Sequence, residues 1–426
     1  TFDTGKIRLV LMKDPIGFEL YDAEGTLLYS DLHGNPVSLD SNRRVTHYSC
    51  MEEEDCFYGF GEKAGPLNKN KMFLRERATD AMGYDAEKTD TLYKHIPFYI
   101  RLNRSSKKAV GVFYHNFYES CFNMGCEKSN YWHRYTYWQA DGGNSIARIV
   151  DNYTLLTGRP ALLPKRALGY QGSSMYYPEL ERDSDDAVLG FIDTIKEEGF
   201  PIDGFHLSSG YTSVGNKRCV FTWNTTRFKD PSAYFHAMQD KGAENVPNIK
   251  PGILLCHPWF EEFKSQDVFV KDSKNPEQYA VGSWWGGPGA FWDFTKPAAR
   301  EAWKKYVTGS LVAVGTNSIW NDNCEYDSLL DKDVIVDFDG KGGTIAQLKP
   351  IMSTLMCKLS NDAVKEHDAD MRPYSVCRSG SSGIQRYAQT WCGDNYTSWK
   401  SLKYNIPTIT GMGLSGQPNE GADIGG

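Results

Sequence analysis

From about residue 165 onward, short apolar runs and amphipathic helical runs alternate along the chain, and this alternation constrains the fold more than any other feature. Repeated strand-then-helix units imply a parallel sheet. Because they extend over roughly 260 residues, a (β/α)8 TIM-type barrel is favoured over a doubly wound sheet. The first predicted strand ends just before Gln171, and the second to sixth are Ile202–Leu207, Ile249–Cys256, Thr316–Trp320, Tyr374–Cys377 and Ala388–Trp391. Three predicted helices begin near Ser184, Pro231 and Pro297, and a fourth spans Leu348–Leu359.

Residues 1–160 show a different pattern, in which short β-like runs are separated by turn clusters. Phe98–Leu102 and Ala109–Tyr114 are two of the apolar or aromatic runs, and Asp22–Gly25 is one of the turn clusters. No amphipathic helix is predicted in this part. We therefore expect a β-sandwich here.

The run Gly158–Pro164 is predicted to be the linker between the two patterns. The expected organisation is an N-terminal β-sandwich domain over residues 1–160 and a (β/α) barrel over residues 165–426. A seventh strand is expected near Asp423, and the sequence shows no eighth, so the barrel is predicted to be truncated after strand seven with its C-terminal part missing.

Composition excludes several classes of function. A net charge of -7 argues against nucleic acid binding, and no apolar run approaches the length that spans a bilayer. The ten cysteines form neither CxxC pairs nor a zinc-like cluster, so no metal site is implied. Several lie in apolar runs, where buried free thiols are expected, and this favours a reducing compartment. Four glycosylation sequons keep secretion open, and oligomeric state is left open as well. The sequons are Asn103, Asn152, Asn224 and Asn395.

Polar side chains follow the predicted strands, where barrel enzymes carry their reactive groups. Asp322 follows the fourth strand and Asp394 the sixth. Two carboxylates facing one pocket are what glycoside cleavage needs, because one attacks the sugar while the other protonates the leaving oxygen. Arg378, after the fifth strand, could anchor sugar hydroxyls and keep a neighbouring carboxylate ionised. An Asp after a strand is also a common turn or N-cap residue, so spacing alone leaves both interpretations open.

Two segments carry a family resemblance. Trp320-Asn321-Asp322-Asn323-Cys324-Glu325 resembles the W-x-D-M-N-E nucleophile motif of glycoside hydrolase family 31, and Trp391-Cys392-Gly393-Asp394-Asn395 with Ser398-Trp399 resembles its W-x-G-D-N-x-S-W acid/base motif. Further similar segments span nearly the whole chain in the family's order. They are Tyr58–Glu62, Thr79-Asp80, Tyr93–Phe98, Arg378-Ser379, Arg386-Tyr387 and Gly421–Gly426.

The resemblance implies a retaining, exo-acting α-glycoside hydrolase that works by double displacement through a covalent glycosyl-enzyme. Asp322 would be the nucleophile and Asp394 the acid/base. The resemblance also implies residues that bind the sugar. For its two tryptophans, Trp320 and Trp391, packing at the mouth of the barrel is as well supported as direct contact with the sugar. Arg378 and Asp423 would hold the sugar, Trp320 and Trp391 would form apolar walls, and Asp80 would lie in a loop over the pocket.

Departures from the family pattern concern specificity. Ser208 stands near a position where many members carry an acidic residue, and His257 stands where an Asp-Pro is usual; Cys324 replaces Asn in the nucleophile motif. Exchanging a carboxylate for a hydroxyl or an imidazole changes which sugar hydroxyls can be satisfied. Ser208 and His257 are therefore expected to line the sugar site and to favour a galactoside, a xyloside or a modified sugar over plain glucose.

The sequence is also compatible with other functions. The same glycosyl-enzyme could serve an α-transglycosidase or an α-glucan lyase, although Glu325 argues for hydrolysis over elimination. An inactive carbohydrate-binding relative is a further alternative, against which the joint presence of Asp322, Asp394 and Arg378 argues. The expected partner is an α-linked oligosaccharide or glycoside, and no cofactor is implied.

Overall fold

The computed structural model describes residues 1–41, 44–126, 138–143 and 145–425, with 138–143 described by backbone alone. The chain divides into two compact units. Unit 1 contains Thr1–Pro160, Gly380–Arg386 and Thr390–Gly426, and unit 2 contains Ala161–Ser379 and Tyr387–Gln389.

The N-terminal part of unit 1 is built mainly from two four-stranded antiparallel sheets, with strand orders β1-β2-β3-β4 and β13-β11-β10-β7. Its elements are β1 (Phe2–Asp3), β2 (Ile7–Lys13), β3 (Ile16–Asp22), β4 (Leu27–Ser30), β5 (Val37–Leu39), β6 (Val45–His47), β7 (Asp55–Gly59), β8 (Phe73–Glu76), β9 (Lys94–His95), β10 (Phe98–Asn103), β11 (Ala109–Tyr114), β12 (Ser120–Asn123), β13 (Trp138–Gly143) and α1 (Ile146–Thr157).

One hydrophobic core joins these sheets. Leu20 and Tyr29 come from the first sheet, and Phe57, Tyr99 and Val112 from the second. All five are nearly inaccessible to solvent. Alternate residues of a strand point to opposite faces, so the inward residues of both sheets pack into one layer. The predicted N-terminal β-sandwich is confirmed.

The second sheet is also covered on its other face, by helix α1. Ile149 and Tyr153 of the helix pack with Phe98 and Phe113. The Phe98 and Tyr153 rings are stacked, with their centroids 3.9 Å apart. Gly111 permits this approach, since a Cβ there would lie 2.4 Å from Ile149 Cγ2. The expectation that residues 1–160 contain no amphipathic helix was therefore wrong. The Ile, Val and Tyr residues of α1 resemble a strand in composition, which hid the helix.

Unit 2 contains a five-stranded parallel sheet of order β14-β15-β18-β22-β25 with helices between its strands. Its elements are β14 (Gln171–Ser174), α2 (Ser184–Glu197), β15 (Gly204–Leu207), β16 (Ser213–Val214), β17 (Lys217–Arg218), α3 (Pro231–Asp240), β18 (Glu244–Ile249), β19 (Gly252–Leu254), α4 (Phe260–Ser265), β20 (Val281–Trp284), β21 (Gly287–Phe291), α5 (Pro297–Val307), β22 (Ser318–Asn321), β23 (Ile335–Val336), β24 (Gly343–Thr344), α6 (Ile345–His367) and β25 (Tyr374–Cys377).

The third strand of this sheet differs from the prediction. The sequence predicted Ile249–Cys256, whereas the parallel strand is Glu244–Ile249. Gly252–Leu254 belongs instead to a small antiparallel sheet with β21. The true strand contains Pro247 and two asparagines, residues that are depleted in strands, so its composition concealed it.

The C-terminal part of unit 1 continues the strand-and-helix series. Its elements are β26 (Gly380–Ser381), β27 (Gln389–Trp391, of which Gln389 is assigned to unit 2), α7 (Trp399–Leu414) and β28 (Glu420–Gly421). β27 and β28 pair in parallel through Thr390–Glu420 and Trp391–Gly421. Counted along the described chain, seven strands of the predicted (β/α) series are present, with β28 as the seventh, just before Asp423. In the described residues, no helix combines the length and apolar character that crossing a bilayer requires.

Candidate active site

Strand register in unit 2 brings three charged side chains to one edge of the sheet. Ile249 of β18 is aligned with Asn321 of β22, which is aligned with Cys377 of β25. The next residue on each strand is Lys250, Asp322 and Arg378. Because the strands are parallel, these three side chains follow the carboxyl ends of neighbouring strands, where barrel enzymes carry their reactive groups.

Asp322 is a buried carboxylate surrounded by donors. Its Oδ2 accepts hydrogen bonds from Asn248 Nδ2, at 2.9 Å, and from Lys250 Nζ, while its Oδ1 accepts from the Asn323 backbone N–H at 2.8 Å. Arg378 Nε lies 3.6 Å from Oδ1. Burial alone would raise the pKa of this carboxyl, but the charges of Lys250 and Arg378 and the donated hydrogen bonds hold the pKa well below its usual range. Asp322 is therefore ionised at neutral pH.

Arg378 is shared between two carboxylates. Its Nε and Nη2 donate to the two oxygens of Glu325 at 2.9 and 3.2 Å, and both side chains are buried. A two-point pair of this kind fixes the plane of the guanidinium group. The prediction that Arg378 helps to keep a neighbouring carboxylate ionised agrees with its position beside Asp322.

Asn248 and Lys250 are site residues that the sequence analysis missed. They are two residues apart at the end of β18, which places both side chains on one face, and both donate to Asp322. They were missed because the third strand was predicted too far along the chain, as Ile249–Cys256, which placed His257 directly after its end. The position directly after the third strand is in fact held by Lys250-Pro251.

Ser208 and His257, the two predicted specificity residues, have different surroundings. Ser208 directly follows β15, is 5% exposed, and its Oγ has no hydrogen-bond partner within the described protein. His257 Nε2 lies 2.9 Å from the Val220 carbonyl oxygen, and His257 Nδ1 accepts from the Trp259 N–H at 3.0 Å. Burial lowers the pKa of the His257 ring, which keeps it neutral. Both ring nitrogens of His257 are thus engaged inside the protein, whereas the buried Ser208 hydroxyl makes no hydrogen bond within the described protein.

A pocket of about 300 Å³, including space open to solvent, adjoins Asn248 and Lys250. The hairpin of β20 and β21 supplies Trp284 and Trp285 to its wall, and Lys250 Nζ lies 5.6 Å from the centroid of the Trp285 ring. Aromatic side chains next to a few polar groups are the usual lining of a small-molecule site. Trp320, predicted as an apolar wall, is half-buried at the end of β22, with its ring centroid 5.7 Å from that of His206.

The predicted acid/base Asp394 lies in unit 1, on a turn after β27. Its backbone is held by hydrogen bonds from the Gly83 N–H to the Asp394 carbonyl oxygen, at 2.7 Å, and from the Asp394 N–H to Tyr93 Oη, at 3.2 Å. Gly393 has φ +69°, and a Cβ there would lie 2.0 Å from the Tyr93 ring. Only glycine satisfies both requirements, so the turn that presents Asp394 depends on it. The Asp394 side chain is half-buried.

A buried cluster of charged side chains contacts the end of β27, just before this turn. Lys94 Nζ donates to Glu62 at 2.9 Å, to Glu420 at 3.3 Å and to the Trp391 carbonyl oxygen at 2.8 Å. Burial alone would lower the pKa of Lys94, but its two carboxylate neighbours raise it, so the lysine stays charged. The cluster ties β9, β27 and β28 together and thereby fixes the strand end that precedes Asp394.

The remaining predicted residues also lie in unit 1. Trp391, half-buried, ends β27; Asp423, exposed, follows β28; and Asp80, half-buried, lies between β8 and β9. Asp322, Arg378, Trp320, Ser208 and His257 lie in unit 2. The pairing of the Asp322 and Asp394 carboxyl groups therefore stays a prediction.

A β-sandwich followed by a (β/α) barrel with an ionised aspartate at a strand end is the architecture of a class of glycoside hydrolases. Residues 160–426 match the model of the glycosyl hydrolases family 31 TIM-barrel domain, and residues 1–123 match that of the glycosyl hydrolase 31 N-terminal galactose mutarotase-like domain. The chain belongs to glycoside hydrolase family 31.

Individual relatives agree with this assignment. Alpha-glucosidase 2 of Bacillus thermoamyloliquefaciens is 31% identical over 445 residues, an alignment covering 100% of this chain and 54% of that protein. An alpha-glucosidase of Saccharolobus solfataricus is 26% identical, and the alignment covers 92% of this chain and 59% of that alpha-glucosidase. The glucose complex of a Flavobacterium johnsoniae dextranase has a TM-score of 0.89 at 24% identity, covering 99% of this chain and 52% of that one. This chain thus spans slightly more than half the length of these relatives.

Proposed function

We propose that the protein is a retaining, exo-acting α-glycoside hydrolase with Asp322 as nucleophile and Asp394 as acid/base. The observation that carries the proposal is the state of Asp322, a buried carboxylate kept ionised by Lys250, Arg378 and Asn248. A nucleophile in glycoside cleavage has to be deprotonated and fixed in orientation, and these contacts provide both. The names of the two relatives support an α-glycoside as the substrate.

The proposed reaction has two displacements. An oxygen of Asp322 attacks the anomeric carbon while the glycosidic bond breaks, and the leaving oxygen takes the proton of Asp394. Water then attacks the anomeric carbon from the opposite face, Asp394 takes the proton of that water, and the bond to Asp322 breaks. Two inversions return the α configuration. A sugar hydroxyl in place of water would give transfer, and the ratio of longer oligosaccharides to free sugar measures it.

A panel of aryl α-glycosides tests the proposal. We expect the purified protein to release 4-nitrophenol from at least one α-glycoside among the gluco, galacto, xylo and N-acetylgalactosamino compounds, and from none of the matching β-glycosides.

Exo action predicts that single sugars are released from the non-reducing end of an α-linked oligosaccharide. Ser208, near a position where many family members carry an acidic residue, predicts a preference other than plain glucose, because a hydroxyl satisfies different sugar hydroxyls from those that a carboxylate satisfies. A strong glucoside preference would end that specificity proposal, and inactivity on every α-glycoside would end the functional one.

A further inference from the structure

Lys250 has a role in the site that the motif resemblance does not assign. Its side chain is 12% exposed, and its Nζ donates to Asp322 Oδ2 and to Asn323 Oδ1. The ammonium group also lies 5.6 Å from the Trp285 ring centroid. Three neighbours therefore hold this cation in place on one oxygen of the proposed nucleophile.

Lys250 is the cation most closely committed to Asp322. Arg378, the other one, lies 3.6 Å from Asp322 but donates at 2.9 Å and 3.2 Å to the two oxygens of Glu325. Asn248, which shares Asp322 Oδ2, is neutral. Without Lys250, the charge of Asp322 would face two neutral donors, Asn248 Nδ2 and the Asn323 N–H, and an arginine already paired with another carboxylate.

We propose that Lys250 is a positioning residue for the second displacement, where it stabilises the Asp322 carboxylate as that group leaves the anomeric carbon. This inference rests on the proposed function. In that step the water oxygen bonds to the anomeric carbon, the bond from that carbon to Asp322 breaks, and its electron pair returns to the carboxylate. The proton of the water goes to Asp394. Negative charge grows on Asp322 during this step, so a fixed cation in a buried site lowers the barrier.

The same contact opposes the first displacement, in which Asp322 loses its charge. Removing Lys250 should therefore shift the slow step towards release of the sugar from Asp322. A low pKa makes a carboxylate a better leaving group, and the Lys250 charge is a principal cause of the low pKa of Asp322. The lysine thus favours turnover of the intermediate over its formation.

The experiment compares Lys250→Met with the natural protein, using the 4-nitrophenyl α-glycoside that gives the highest kcat/KM in the panel. We expect kcat to fall about tenfold or more, since one cation beside a charge-developing group is removed. KM should fall in parallel, and a burst of one 4-nitrophenolate per protein molecule should precede the steady state. Mass spectrometry in the steady state should find the sugar on the peptide that contains Asp322.

The pH profile gives a second readout that a structural role would not change. Loss of the cation raises the pKa of Asp322, so less of it is ionised at low pH. The acidic limb of kcat/KM should therefore move to higher pH by about one unit. Lys250→Arg keeps the charge and should show neither the burst nor the shift.

Lys304→Met is the matched control. Lys304 has a 13% exposed side chain and is paired with Glu301 and Glu366 on helices away from the sheet edge, so its loss should leave kcat, KM and the pH profile unchanged. Lys250→Gln replaces Lys250→Met if the latter does not fold. A kcat loss without a burst and without a pH shift overturns the inference. If quenched reactions of the natural protein and of both neutral variants never carry sugar on Asp322, the proposed function itself fails.

Discussion

Replacing Asp322 with alanine is expected to remove nearly all turnover, with kcat falling on the order of 10⁴-fold or more, as losses of a sole nucleophile do in other enzymes. The reason is chemical: the variant lacks the carboxylate that bonds to the anomeric carbon, and the neighbouring carboxylate, Glu325, is held in a two-point pair with Arg378. An activated leaving group should not rescue this variant, because leaving-group departure is not what it lacks. The measurement is kcat on a 4-nitrophenyl and a 2,4-dinitrophenyl α-glycoside.

Asp362→Ala serves as its control, since Asp362 is a carboxylate of helix α6 in the same unit and is paired with Lys358. Its kinetics should match the natural protein. Added azide should react with the substrate in the Asp322→Ala variant from the face that Asp322 vacates, and should yield the β-glycosyl azide. Turnover within tenfold of the natural protein would show that Asp322 is not the nucleophile.

Replacing Asp394 with alanine should give a different pattern. A general acid contributes about 10²–10⁴-fold, and this contribution shrinks when the leaving group needs no proton. We expect a loss in that range on an alkyl or disaccharide α-glycoside, and a much smaller loss in kcat/KM on the 2,4-dinitrophenyl glycoside. The pair of substrates therefore distinguishes loss of the acid from loss of the fold.

Azide provides the complementary test of Asp394. In this variant the glycosyl-enzyme forms on Asp322 but water is no longer activated, so azide attacks the intermediate and should restore turnover. The product is expected to be the α-glycosyl azide, opposite in configuration to the one from Asp322→Ala. Exchange of the two azide configurations between the variants would mean that the assigned roles are reversed.

Much of the barrel could be predicted from periodicity. Helices α2, α3, α5 and α6 and strand β25 lie where apolar spacing placed them, because each buries one regular face. Helix α1 and strand β18 were not found, since their compositions favour the opposite structure. For α1 these are β-branched and aromatic residues such as Ile149 and Tyr153; for β18 they are Pro247 and Asn248. Tertiary packing decided both elements, and local composition does not record it.

The site shows the same division. Asp322 and Arg378 were predicted as site residues because they follow predicted strands and match a family pattern. Asn248 and Lys250 act on Asp322 from more than seventy residues away in the chain, and strand register alone brings them there. Correct placement of β18 would have shown them, since a residue two positions before a strand-end residue shares its face. The Pro251 that follows Lys250 was the available signal for that strand end.

The configuration of the sugar released first shows whether the protein cleaves α-glycosides by two displacements on Asp322, as we propose. Proton NMR can follow the anomeric signals of the free sugar during the first minutes of hydrolysis, before mutarotation equilibrates them. Two inversions predict that the α-anomer appears first and the β-anomer grows only at the rate of mutarotation. Release of the β-anomer first would mean that a single displacement by water operates and that Asp322 forms no covalent intermediate.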